Sequence, residues 1–182
     1  MGIEFRAIDS KDTKELAYFF GSLSDESLEW QNHFGKANDL SLAQHLAENL
    51  TANPVWQKGF VASGPYGVSH HGFNATVRES VIVAYGWLDL GQKETQKYTC
   101  SLGIVVTDTY QNKGIGTQLT KFMIEEARKL GMRKIWLNCY RTNQRAFKMY
   151  EKLGFKIEGI FQKQEWTKDN VPLDLYSLAL FL

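Results

Sequence analysis

Two segments of the sequence carry residue types at spacings that could do chemistry. The first runs from Leu102 to Thr117 and reads as a strand entering a helix through a turn made of Gln111, Asn112, Lys113, Gly114, Ile115 and Gly116. The first backbone N–H groups of a helix lack an internal partner, and the helix dipole favours negative charge at that end. Glycine at 114 and 116 lets an anion approach the backbone without a Cβ in the way. The second segment carries Asn143, Ala146 and Tyr150, whose separations of three and four place them on one face of a helix. Tyr150 reads either as a core aromatic with its hydroxyl at the edge or as a functional phenol.

Several ligands compete for the turn. A nucleoside triphosphate loop needs G-x-x-x-x-G-K-[ST], but Lys113 precedes the glycines here and Thr117 follows Gly116. A dinucleotide fingerprint needs a third glycine where Leu119 stands. An ordinary strand-turn-helix connection with two permissive glycines is the bland alternative.

The surrounding pattern shows what must position these residues. Strands are expected at Ile3 to Ile8, Gly59 to Ser63, Glu79 to Leu90 and Tyr98 to Thr107, the last two paired antiparallel across a polar turn. Helices are expected after Ser10 or Asp12, over 24–34 and over 41–50. From Gln111 an apolar stripe of Ile115, Leu119, Phe122, Met123, Ala127 and Leu130 predicts a helix that stops at Gly131. A strand at Lys134 to Tyr140, a helix capped by Asn143 and ending at Gly154, and strands at Lys156 to Trp166 and Leu173 to Phe181 complete the chain. This order predicts an α/β layered domain with a mixed sheet.

Taken together, the turn fits the pattern Q/R-x-x-G-x-G/A in full, and the later segment from Asn143 through Ala146, Tyr150 and Gly154 to Phe155 accompanies it. The two motifs resemble the GNAT superfamily of acetyl-CoA-dependent N-acetyltransferases, over roughly Tyr98 to Gly159. The resemblance implies a single-domain GNAT-like fold, with a mixed, mostly antiparallel sheet whose central strands splay and are flanked by helices. Residues 1–97 would form the acceptor-side half, 98–159 the acetyl-CoA-binding core, and 160–182 the C-terminal strands.

The resemblance also implies roles. Backbone amides of Gln111, Asn112, Lys113, Gly114, Ile115, Gly116 and Thr117 would hold the pyrophosphate of acetyl-CoA, used as acyl-donor cosubstrate. Ile104, Val105 and Val106 would lie beside its pantetheine arm. Asn143 and Ala146 would face the cofactor, and Tyr150 would stand near its sulfur as general acid. A phenol near ~10 is close in pKa to a thiol near ~8.5, so its proton transfers at modest cost. The general base is unassigned. Ser101 occupies the position where many relatives carry glutamate, and Glu29, Glu79 and Asp89 are the replacement candidates, each also readable as a surface charge. Glu29, Trp30, His33 and Ser101 are the candidate acceptor-side residues, with Phe34 beside them as equally good core material. His70 and His71 lack a third ligand at recognisable spacing, so no metal is expected.

Composition bounds the rest. The chain has 182 residues and a formal net charge of +1, which argues against coating nucleic acid or an anionic membrane. Residues 1–99 carry 8 basic and 12 acidic side chains, whereas 111–152 carry 10 basic and 3 acidic. The basic stretch suits a cofactor with phosphates, and the acidic half suits a cationic acceptor, so both Michaelis constants are expected to rise with salt. No apolar run approaches the roughly 18 residues of a membrane span, and a cytoplasmic protein is expected. Cys100 and Cys139 read as buried, reduced thiols, not nucleophiles. The function expected is direct transfer of acetyl onto a primary amine of a small molecule or a peptide by a monomer or homodimer. A non-catalytic acyl-CoA-binding regulatory module of the same fold is the alternative.

Overall fold

The computed structural model describes residues 2–24, 27, 48, 52, 56–64, 81–167 and 169–182. Glu29, Trp30, His33, Phe34, His70, His71 and Glu79 lie outside them, as does most of the two helices expected over 24–34 and 41–50. The chain divides into two compact units, Met1–Trp87 with Ile104–Thr120, and Leu88–Gly103 with Lys121–Leu182.

In the first unit, β1 (Glu4–Ala7) and β2 (Gln57–Gly64), the latter buried continuously from Gly59 onward, pair antiparallel from Glu4↔Ser63 to Ala7↔Phe60. Between them lies α1 (Thr13–Gly21), preceded by a short 3-10 turn, Ser10–Asp12. Its entry is fixed by a capping box: Asp9 Oδ1 accepts the Lys11 N–H at 2.7 Å, and Asp12 Oδ2 accepts the Asp9 N–H at 2.9 Å. Arg6 of β1 closes on Asp12 with two bonds of 2.7 Å. Burial pushes the Asp12 carboxyl up, but the Arg6 guanidinium and the Asp9 N–H overcome this and leave it below its ordinary value. Helix α1 buries Leu16, Ala17, Phe19 and Phe20 in a core with Val61, Ile82, Tyr85, Trp87 and Val105. Rings set the geometry there, Phe20 edge-on to Tyr85 at 5.7 Å and Tyr85 stacked on Trp87 at 5.7 Å.

The β-branched and aromatic runs give β3 (Val81–Leu90) and β4 (Thr99–Val106). The helix expected from Gln111 starts later, as α2 (Ile115–Lys129). A 3-10 turn, Asp108–Tyr110, comes first, and Gln111 is extended while Asn112 and Gly114 have φ of 59° and 77°, conformations that no helix contains. Then follow β5 (Lys134–Tyr140), α3 (Gln144–Lys152), β6 (Lys156–Trp166) and β7 (Pro172–Phe181). Gly131 and Gly154, with φ of 75° and 95°, end the two helices where the sequence places their stops.

In the second unit β5 pairs antiparallel with β7 along its whole length, from Lys134↔Phe181 to Tyr140↔Leu175, and β6 pairs antiparallel with β7 on the other side. The alternation along β5 is clear: Ile135, Leu137 and Cys139 are buried, whereas Trp136 is 40% exposed. The buried set faces α3, as contacts of Phe147 with Tyr176 and of the Cys139 thiol with the Asn143 carbonyl show. The seven strands run in the order β1-β2-β3-β4-β5-β7-β6, and of the pairings described only β4 with β5 is parallel. That ladder spans Thr99↔Lys134 to Ser101↔Trp136 and stops, although both strands continue. The mixed, mostly antiparallel sheet with parting central strands is thus the expected one.

Candidate active site

The turn before α2 is built from its own hydrogen bonds. Gln111 Nε2 donates to the Val106 carbonyl at 3.1 Å and to Ser27 Oγ at 3.0 Å. Asp108, one turn earlier, accepts from Ser24 Oγ at 2.9 Å, the Ser24 N–H at 3.1 Å and Ser27 Oγ at 2.8 Å. Burial pushes the Asp108 carboxyl up, but these donors outweigh it and the group stays below its ordinary value, ionised near neutrality. The Gln111 side chain is therefore a brace for the turn. Gly114 accepts the Gln118 N–H at 3.0 Å, the first bond of α2, so the N–H groups that follow it have no partner within the helix. Lys113 extends over the Tyr110 ring, its Nζ 4.8 Å from the centroid. This arrangement, with positive φ at Asn112 and Gly114, is chemically suited to a phosphate.

Residues Ile104, Val105 and Val106 belong to the same unit as this turn. They form the far end of β4, beyond its last pair with β5, and Thr107 then bonds back to the Val83 carbonyl at 3.0 Å.

The second unit holds Ser101, Asn143, Ala146 and Tyr150. Asn143 caps α3, its Oδ1 accepting the Ala146 N–H at 3.0 Å and its carbonyl the Phe147 N–H at 3.0 Å. Asn143 and Ala146 are half-buried and Tyr150 is buried, on the face the spacing predicts. The Tyr150 ring packs edge-on against Phe155 at 5.5 Å. Burial, and then the neighbouring Cys139, raise the phenol's pKa, so it stays protonated across the neutral range. Burial alone pushes the Cys139 thiol up to about 12. Burial and the Asp89 charge do the same to Cys100.

At Ser101 the structure adds what the sequence did not show. Gly91 N–H bonds to Thr99 C=O at 3.0 Å, and this antiparallel pattern sets Asp89 of β3 opposite Ser101 of β4. The Ser101 hydroxyl donates to Asp89 Oδ2 at 3.2 Å. Asp89 is half-buried, not the solvated charge its type alone predicts. The Asp108 brace was missed as well, and an acidic residue opening a tight turn three positions before Gln111 is the signal that could have found it. Of the basic residues around α2, Lys129 pairs with Glu126 and Arg128 with Glu125, Lys134 reaches Glu158 at 2.6 Å, and Arg133 stacks on Tyr98. Among the described residues no group of three or more His, Cys, Asp or Glu could hold a metal, and no helix is long and apolar enough to cross a membrane.

Comparison with known proteins agrees with this geometry. Residues 32–155, more than half of the chain, match the family described as "Acetyltransferase (GNAT) family". The [Ribosomal protein bS18]-alanine N-acetyltransferase of Escherichia coli is 28% identical over 134 residues, covering 74% of this chain and 86% of that one. The L-amino acid N-acetyltransferase AaaT of the same organism is 31% identical over 99 residues, covering 54% and 60%. In fold, the chain superposes on yncA from Salmonella typhimurium, whose structure holds its cofactor acetyl-CoA, with a TM-score of 0.74 at 18% identity, covering 100% of this chain and 95% of that one.

Proposed function

Because the chain belongs to the acetyltransferase (GNAT) family, we propose that it moves the acetyl group of acetyl-CoA directly onto a primary amine, as one N-acetyltransferase domain. The observation that carries this reading is the turn at Asn112 to Gly114, whose positive φ values lead its backbone amides into the start of α2. Relatives named for acting on an alanine of a ribosomal protein and on L-amino acids support an α-amine as acceptor.

The residues present fit acetyl-CoA. Amides from Gln111 to Thr117, with Lys113, would take its pyrophosphate, and the stretch of β4 beyond its last rung with β5, Ile104 to Val106, would take its pantetheine arm. When bound, the cosubstrate supplies an activated thioester. Tyr150 then holds a proton for the departing sulfur, and its raised pKa keeps that proton in place until negative charge develops there. Asn143 fixes the first turn of α3, the helix that carries Tyr150. Both thiols are buried and held protonated, which supports transfer without an acetylated cysteine.

The test is a thiol-release screen with acetyl-CoA against L-amino acids, peptides with a free N-terminal alanine, polyamines and aminoglycosides. Turnover is expected with α-amines. Tight acetyl-CoA binding by calorimetry with no release for any amine would replace this reading by the non-catalytic module.

A further inference from the structure

The proposed reaction leaves the proton of the acceptor amine without a destination. We propose that the acceptor's amino group is received on the rung formed by Asp89, Ser101 and Trp136, with the Asp89 carboxylate taking its proton and the Trp136 indole covering its carbon chain. This rests on the N-acetyltransferase reading and adds the acceptor's side of it.

Three adjacent strands contribute one residue each. Asp89 of β3 meets Ser101 of β4 through the 3.2 Å hydrogen bond, and Ser101 is the register partner of Trp136 on β5. Register partners share a face, so carboxylate, hydroxyl and indole stand side by side across about 10 Å, twice the interstrand spacing. A buried aromatic would need no further account, but Trp136 is 40% exposed on a central strand of the sheet. A carboxylate beside an open indole face is a place for an ammonium and its alkyl stem.

The position of this rung matters as much as its chemistry. It is the last one shared by β4 and β5, and from Leu102 and Leu137 onward the strands continue without pairing each other. Alternation puts Ile135, Leu137 and Cys139 on the other face, under α3, with Tyr150 beside Cys139. Proton acceptor and proton donor therefore lie on opposite faces of the sheet, the acceptor at the last β4–β5 rung and the donor beside Cys139, three residues further along β5. A planar thioester carbonyl can be attacked from one face while its sulfur is served from the other. The bound ammonium first gives one proton to water; the lone pair so freed forms the C–N bond, and the C–S bond breaks with its electrons on sulfur. Asp89 takes the proton from nitrogen, Tyr150 gives one to sulfur, and water returns one from Asp89 to Tyr150.

The experiment compares wild type, Asp89→Asn, Asp89→Glu, Trp136→Ala, Trp136→Phe and the double variant Asp89→Asn/Ser101→Glu. Probes are L-alanine amide, an alanine-initiated hexapeptide and spermidine, with acetyl-CoA affinity read separately by calorimetry. Asp89→Asn is expected to lose about 10²-fold in kcat with unchanged acetyl-CoA affinity. Asp89→Glu, and the double variant that moves the carboxylate across to β4, recover about tenfold of it. Trp136→Ala raises KM for the amine several-fold at similar kcat, and Trp136→Phe restores it. An active wild type with Asp89→Asn within twofold of it in kcat, or with rate and acetyl-CoA affinity falling together, overturns this assignment alone. A wild type that releases no thiol with any amine overturns the acetyltransferase reading and this assignment with it.

Discussion

Gln111 Nε2 lies 3.0 Å from Ser27 Oγ, so the first residue of the glycine turn is fastened to a serine that also donates to Asp108. The motif glutamine therefore shapes the turn through its side chain, while its backbone lines it. Gln111→Ala should weaken acetyl-CoA binding about tenfold and cost about 1–2 kcal/mol of stability through the orphaned Val106 carbonyl. Saturating kcat should stay within threefold of wild type. Calorimetry and steady-state kinetics on one preparation check both; a fall in kcat alone would place the glutamine in the chemistry.

Tyr150→Phe keeps the edge-on contact with Phe155 and removes only the hydroxyl. A loss of about 10²-fold in kcat is expected with thermal stability nearly unchanged. Because the phenol's pKa is raised, its contribution to stability is complete below the unfolded value near ~10 and declines as pH climbs above it. Wild type should therefore lose stability between about pH 10 and 11.5 more steeply than Tyr150→Phe, a difference that alkaline denaturant melts would read.

Asp12 is held below its ordinary pKa by Arg6 and the Asp9 N–H, and this sign is opposite to that of Tyr150. Its stabilisation is present above about pH 4 and is lost as pH falls through the lowered value. Asp12→Asn should be about 2 kcal/mol less stable at pH 7, since the charge-assisted pair goes and a single amide oxygen is left for the Arg6 and Asp9 donors. Its melting temperature should also vary less than wild type between pH 4 and 2.

Gly114 has φ of 77°, and a Cβ there would meet only Gln118 Nε2 at 3.8 Å. Space is available, so the demand for glycine is conformational. Gly114→Ala should cost about 1 kcal/mol and raise the Kd for acetyl-CoA several-fold. Gly114→Asn, a residue that visits positive φ readily, should recover most of the stability loss. Chemical denaturation of the three proteins measures this, and equal losses in the two variants would contradict it.

What the sequence showed and what it hid divide along a physical line. Helix ends are local, so Asn143, Gly131 and Gly154 were readable as cap and stops, and the face shared by Asn143, Ala146 and Tyr150 followed from the helical repeat. The strands of the central sheet were readable from their β-branched and aromatic content. Strand register is a property of two distant segments, and it decided the rest. That Asp89 stands opposite Ser101, and that the β4–β5 ladder stops at Trp136, depend on partners no periodicity encodes. The late start of α2 was hidden for another reason: its apolar stripe begins in register with the turn, and only the positive φ of Asn112 and Gly114 shows that the helix has not yet begun.

The two cysteines give the molecule a redox character. A protein whose proposed product is a free thiol works among coenzyme A and its disulfide, and exchange with a disulfide needs a thiolate. Burial, with the Asp89 charge added at Cys100, pushes both thiols up to about 12, so the thiolate fraction at neutral pH is on the order of 10⁻⁵. The folded chain is thereby insulated from mixed-disulfide formation with its own product, and oxidative inactivation would have to wait for the sheet to open.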